Sequence, residues 1–288
     1  MSALKSVESA RLYCKDLLRK YDYPSFLLST FQPQRSLDSF LALRALNVDL
    51  ALIPDNVSNT TVGKMRYQFW TESVDKAFRG VPPAQPVAIL LNHVLESGVQ
   101  LTKPYVLRLI AERERRIDNM TFPSLSGLES YAEKTYSTLL YLHLESLDIR
   151  RPDIDDIAQH IGLAMGITST LRGFPYFISK KIVPLPTDIC TAHNLRQQDL
   201  LRTRDVDGLQ DAMFEVATRA NDHLISAKVK IRDLKERPEV VKDANAVFLN
   251  AVPAKLFLER LESYNFDATE PKLMKKEWKL PYRLWRGF

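Results

Sequence analysis

Histidine, cysteine, serine and paired carboxylates carry most enzymatic chemistry, and in this chain none of them falls at a working spacing. The five histidines, His93, His143, His160, His193 and His223, are far apart in the sequence. No HxxxH or HExxH pair puts two imidazoles on one helix face, so no metal site is expected. Cys14 and Cys190 lie outside any CxxC pair and read as two buried free thiols of a reducing compartment. There is no GxSxG, no GxGxxG and no Walker loop, and no cofactor is implied. Ser124-Leu125-Ser126-Gly127 reads as a loop leading into a helix, and Tyr131, Tyr136 and Tyr141 as helix packing. The unusual chemistry sits at the C-terminus. Trp278, Tyr282, Trp285 and Phe288 interleave there with Lys275, Lys276, Lys279, Arg283 and Arg286. Steps of four and then three put Trp278, Tyr282 and Trp285 on one stripe of a helix, although Pro281 is able to split the segment. Two readings are open. Lys275, Lys276, Trp278, Lys279, Arg283, Trp285 and Arg286 meet an anionic membrane surface, or the aromatic stripe docks on the body with the basic groups in water.

Charge sharpens the contrast between tail and body. Residues 272–288 hold six Lys and Arg against Glu277 alone, an excess that equals the +5 formal charge of the whole chain. The body is therefore near neutral, and a nucleic-acid partner is not expected. Hydrophobic residues at 45% and charged residues at 26% are an ordinary globular balance, and 288 residues are enough to bury a large core. Nine glycines are too few for a turn-rich β-sandwich. No apolar run approaches the ~18 residues of a membrane span. Glu8 and Asp16 are unlike a presequence, so a mitochondrial location would mean that one was removed or lies outside this sequence.

Apolar residues recur at helical spacing throughout, and the expectation is all-α. Helices are expected to Tyr21, over Asp38–Ile53, through Met65, Phe69, Trp70, Val74 and Phe78, over Val87–Val99 and after Pro104. A long one is expected over Leu128–Leu147, another over Asp153–Arg172, and two more over Leu209–Lys235 and Val240–Tyr264. Lys180–Ile189 reads as Pro-broken and extended. No composition shift marks a second domain. The division expected is a helical domain over 1–265 and a tail over 266–288 that packs on it or extends from it.

Several segments resemble a known family. Phe40-Leu41-Ala42-Leu43-Arg44-Ala45-Leu46-Asn47 is similar to the first active-site helix of the squalene/phytoene synthases. Gly63-Lys64-Met65-Arg66-Tyr67-Gln68-Phe69-Trp70 is similar to the helix that follows it. Thr168-Ser169-Thr170-Leu171-Arg172 and the later Leu185-Pro186-Thr187-Asp188-Ile189 resemble the second active-site helix and its loop. The likeness runs from about residue 10 to 265. Leu43-Arg44-Ala45-Leu46-Asn47-Val48, Gln85-Pro86-Val87-Ala88-Ile89, Ala111-Glu112-Arg113-Glu114, Tyr131-Ala132-Glu133 and Leu185 to Cys190 resemble one branch, the mitochondrial complex I assembly factors (assembly factor 6). That resemblance implies an isoprenoid-synthase helical bundle. It also implies an early role in complex I assembly on the matrix side of the inner membrane, with complex I subunits or other assembly factors as partners and anionic inner-membrane lipid as a further one.

The resemblance also implies where the synthase chemistry would sit. Prenyl synthesis ionises an allylic diphosphate, and Mg²⁺ held by carboxylates offsets the leaving charge. The family places these in DDxxD and DxxED clusters. Carried onto this chain, the first falls on Ala51, Leu52 and Asp55, and the second on Gly173, Tyr176 and Phe177. One carboxylate of six remains. Asp49 lies about 240° around a helix from Asp55 and does not replace the cluster. Arg172 matches the family's arginine and is open between anion contact, a carboxylate partner and the surface. Arg44 is open between burial against a carboxylate and ligand contact. Lys180 and Lys181 read as a solvated basic loop, with anion contact as the alternative. The expected function is a non-catalytic assembly factor. The alternatives are an isoprenoid or lipid binder and a residual prenyltransferase.

Overall fold

The computed structural model describes residues 2–203, 206–234 and 237–288, with no strand among them. The helices run in chain order as α1 Ser2–Tyr21, α2 Tyr23–Leu28, α3 Gln34–Leu52, α4 Thr60–Phe78, α5 Pro86–Glu96, α6 Lys103–Arg116, α7 Leu125–Ala132 and α8 Thr138–Ser146. They continue as α9 Pro152–Arg172, α10 Phe174–Ser179, α11 Thr187–Ala192, α12 Gln197–Arg202, α13 Leu209–Asp233, α14 Pro238–Phe248, α15 Ala251–Ser263 and α16 Leu280–Arg286. Side-chain caps set several starts. Asp22 accepts from the Ser25 amide, Asn59 from Val62, Gln85 from Ala88 and Ser124 from Gly127. Each satisfies one backbone donor that the first helical turn leaves without a partner.

Two compact units form. The first comprises Met1–Asp118, Thr138–Asp155 and Lys242–Val247. Its centre is α3, where the nine consecutive residues Phe40 to Val48 are all buried. A helix apolar on every side needs neighbours on every side, and α1, α5, α6 and α8 supply them. The second unit comprises Asn119–Ser137, Asp156–Val241 and Phe248–Phe288. Its long helix α13 packs against α11 and α15, and α15 carries the one-turn helix Pro271–Met274 and α16.

Three expected elements differ. The helix expected over Leu128–Leu147 is interrupted by a π turn at Glu133–Ser137. There the Thr135 hydroxyl donates back to the Tyr131 carbonyl at 2.6 Å. The widened turn carries Tyr136 and Ser137 against α9. The Tyr136 hydroxyl bonds to Ser169 at 2.7 Å, and the Ser137 hydroxyl donates to the Gln159 carbonyl at 3.0 Å. Val240–Tyr264 is two helices, because Pro253 has no N–H for the Leu249 carbonyl and its ring crowds it. Val252 donates to Leu249 instead, at 3.1 Å. Lys180–Ile189 is extended only over 182–186, since Lys180 and Lys181 form a turn and α11 begins at Thr187. The amide and hydroxyl of Thr187 both donate to the Phe122 carbonyl, at 2.9 and 3.1 Å. On α4, Met65 and Phe69 are exposed, while Tyr67, Trp70 and Val74 supply its buried side.

Candidate functional site

In the first unit, the residues matching the first carboxylate cluster lie at the end of α3. Ala51 is exposed and Leu52 half-buried. Asp55 is exposed within the one-turn helix Ile53–Asn56, after Pro54 has ended α3. The other carboxylates of α3 are engaged elsewhere. Asp38 takes both Nε and Nη2 of Arg11 on α1, at 2.6 and 2.7 Å. Asp49 accepts from the Gln85 amide at the start of α5, at 3.5 Å, and burial pushes its carboxyl up to about 6. Arg44 is buried, with its guanidinium 5.4 Å from the centre of the Phe40 ring. The same unit encloses His143. Its Nε2 bonds to Gln32 at 2.7 Å, and burial pushes it down to about 3, so it stays neutral.

In the second unit, Arg172 closes α9 and is exposed. Gly173 follows as the cap of α10, and a Cβ there would meet the Phe177 ring at 2.8 Å. Tyr176 and Phe177 stand edge to face with centroids 5.2 Å apart, and Lys180 lies 5.8 Å from the centre of the Tyr176 ring. Lys181 is exposed in the left-handed region, with φ 60. At the three positions of the second cluster the side chains are a hydrogen, a phenol and a phenyl ring, none of them a carboxylate.

A polar chain in this unit escaped the sequence reading. His160 on α9 and His223 on α13 are 63 residues apart, yet their Nδ1 atoms face each other at 3.0 Å. His223 Nε2 lies 2.9 Å from Glu129 on α7, and the same oxygen takes Arg219 Nε at 2.5 Å. Asp156, on the far side, holds Lys230 at 2.6 Å. With Nε2–H of His223 given to Glu129, its Nδ1 accepts and His160 Nδ1 donates. Burial, then the neighbouring His223, lowers the pKa of His160. The spacing of 63 residues carries no signal of the pairing. Beside it lies an open groove of about 590 Å³, lined by His193, Phe214, Glu215 and Arg219 among others. Among the described residues no group of three or more His, Cys, Asp or Glu is placed to hold a metal ion.

Both thiols are inert. Burial, reinforced by Asp49 and Asp38, pushes Cys14 up to about 12, and burial with Asp188 pushes Cys190 up to about 11. In the tail, Ala268, Leu273, Leu280 and Leu284 are buried, while Trp278, Tyr282 and Trp285 stay exposed.

The comparisons with known proteins agree with this architecture. The squalene/phytoene synthase family model matches residues 18–286. Complex I assembly factor 6 of Rattus norvegicus is 40% identical over 279 residues, covering 97% of this chain and 82% of that protein. The Homo sapiens protein of the same name is 39% identical over 273 residues, covering 95% and 80%. Among solved structures, a ligand-bound dehydrosqualene synthase superposes with a TM-score of 0.81 at 16% identity, covering 99% of this chain and 96% of that one. At that identity the likeness speaks for the fold alone. The chain belongs to the squalene/phytoene synthase family, within its divergent complex I assembly factor 6 branch.

Proposed function

We propose that this chain is a non-catalytic assembly factor for mitochondrial respiratory complex I, acting early and on the matrix side of the inner membrane. The observation that carries the reading is the near full-length similarity to relatives named complex I assembly factor 6. The residues at the cluster positions support the non-catalytic part. The side chains of Ala51, Leu52, Gly173, Tyr176 and Phe177 offer no oxygen to a hard divalent cation except one phenol, and Asp55, the one carboxylate at the six cluster positions, lies past the end of α3. A lone carboxylate offsets little of the several negative charges on a leaving diphosphate. Arg44, Arg172, Lys180 and Lys181 then serve as a buried structural arginine and a basic surface rather than as a diphosphate clamp. Its partners on this reading are complex I subunits or other assembly factors. Among the described residues no helix is long and apolar enough to cross a membrane.

The test is complementation in cells that lack the protein, read as assembled complex I on native gels. Wild-type chain and Asp55→Ala are expected to restore complex I equally. Purified chain given farnesyl or geranylgeranyl diphosphate with Mg²⁺ is expected to form no product. Turnover abolished by Asp55→Ala, or normal complex I in the depleted cells, would overturn the proposal.

A further inference from the structure

The tail presents a surface that the helical body leaves uncovered. Helix α16 docks on α15 through Leu280 and Leu284, four residues apart and both buried, and Leu273 anchors the turn before it. Docking therefore uses the leucines and turns the aromatic residues outward. Trp278 is 81% exposed, Trp285 74% and Tyr282 57%. The rings of Tyr282 and Trp285 lie near each other, with centroids 6.2 Å apart. Tryptophan is highly buried on average, so two so exposed within eight residues is far from its ordinary state. Trp70 on α4 shows that ordinary state, buried at 7% exposure.

The charge around these rings is one-sided. Lys275, Lys276, Lys279 and Arg286 are exposed among them. The segment's only acid, Glu277, is held by Arg260 at 3.3 Å, and Arg283 is held by Glu259 at 2.8 Å. The outward face is thus aromatic and cationic, fixed to the body by a separate leucine face. Amphipathic aromatic rings with a basic surround match the headgroup level of an anionic bilayer. An acidic protein surface would match the charge but would leave these exposed rings without an apolar layer to enter.

We propose that this face of residues 272–288 is a docking surface for an anionic lipid bilayer, holding the protein peripherally with Trp278, Tyr282 and Trp285 at the interface. The inference rests on the geometry of the tail and not on the assembly reading, so either can fail alone.

The experiment is flotation of the whole chain with phosphatidylcholine vesicles, with and without cardiolipin, alongside tryptophan emission. Since Trp70 is buried, a blue shift on adding vesicles comes from the tail. Wild-type chain is expected to float and shift with cardiolipin vesicles, and to do so less as salt rises. Each basic residue contributes about fivefold to binding at an anionic surface, so Lys275→Glu/Lys279→Glu/Arg286→Glu should weaken it on the order of a hundredfold or more. Trp278→Ser/Trp285→Ser should weaken it at least about tenfold. Both variants change exposed side chains and should melt as wild type does. The proposal fails if wild-type chain stays with the soluble fraction, as it would were the patch a seat for a protein. It also fails if either variant floats as wild type does.

Discussion

Replacing Gly162 with alanine puts a methyl group where the second unit has no room for one. A Cβ built there meets the Ser137 Cα and Oγ at 2.4 Å and the Ser137 amide nitrogen at 2.5 Å. Two of those three atoms are backbone, so a side-chain rotation cannot relieve the contact, and α9 must move off the π turn by about 1 Å. That movement strains the two hydrogen bonds that join them, Tyr136 to Ser169 and Ser137 to the Gln159 carbonyl. Overpacking costs about 1–3 kcal/mol, and two weakened hydrogen bonds cost about 1 kcal/mol each. The better helix propensity of alanine returns about 1 kcal/mol. The net loss is about 3 kcal/mol, a fall of roughly 5 °C in melting temperature for a chain of this size. Thermal unfolding followed by circular dichroism measures it. Gly127→Ala is the control, because its nearest neighbours would sit at an ordinary 3.4 Å, and it should melt no lower than wild type and at most about 2 °C above it. Since the clash is with backbone, adding Ser137→Gly to Gly162→Ala should not restore stability. An alanine variant as stable as wild type, or a full rescue by Ser137→Gly, would refute the argument.

Two further predictions turn on half-buried carboxylates whose pKa values shift in opposite directions. The Asp49 carboxyl is raised to about 6 by burial, so between about pH 4 and pH 6 the native chain binds more protons than the unfolded one. Its contribution to stability is lost as pH rises through that window, about 1–2 kcal/mol after screening. Asp49→Asn should therefore be more stable at pH 7 and lack that slope, and urea midpoints at both pH values decide it. Glu129 is the reverse: burial alone would raise its carboxyl, but hydrogen bonds from Arg219 and His223 outweigh it and leave it lowered. Its contribution is present above the ordinary glutamate range and is lost as pH falls through the folded value. Glu129→Gln should lose about 1–3 kcal/mol at neutral pH and little in acid, and an unchanged neutral midpoint would refute it.

The tail shows what residue spacing carries and what it leaves out. Steps of four and three group Trp278, Tyr282 and Trp285, and the same rule groups Leu280 with Leu284. Spacing says which residues share a face, but not which face wins the contact with the body. Leucine wins here because α15 offers an apolar surface that two compact side chains fill, leaving the bulkier rings outside. The π turn was invisible for a related reason. Thr135, Leu139, Leu142 and Ser146 fit a 3.6-residue period, and one extra residue in a turn shifts that period too little to register over so short a run. Gly162 and Gly166 on α9 let the widened turn and the end of α7 come close: a Cβ at Gly166 would meet that of Ala132 at 2.3 Å. The helices themselves were legible because burial of one face repeats along the chain, as at Ala212, Met213, Val216, Ala217 and Ala220 on α13. Pairings across the chain do not repeat. His160 and His223 meet because the fold brings α9 and α13 within side-chain reach, where Asp156 also meets Lys230, and no local pattern in either helix records that contact. The cluster positions lie between these cases. Ala51, Leu52 and Phe177 were readable as losses of charge, yet only the fold shows that α3 kept its other carboxylates and turned them to Arg11 and Gln85. What remains of the acidic chemistry on that helix supports packing within the first unit.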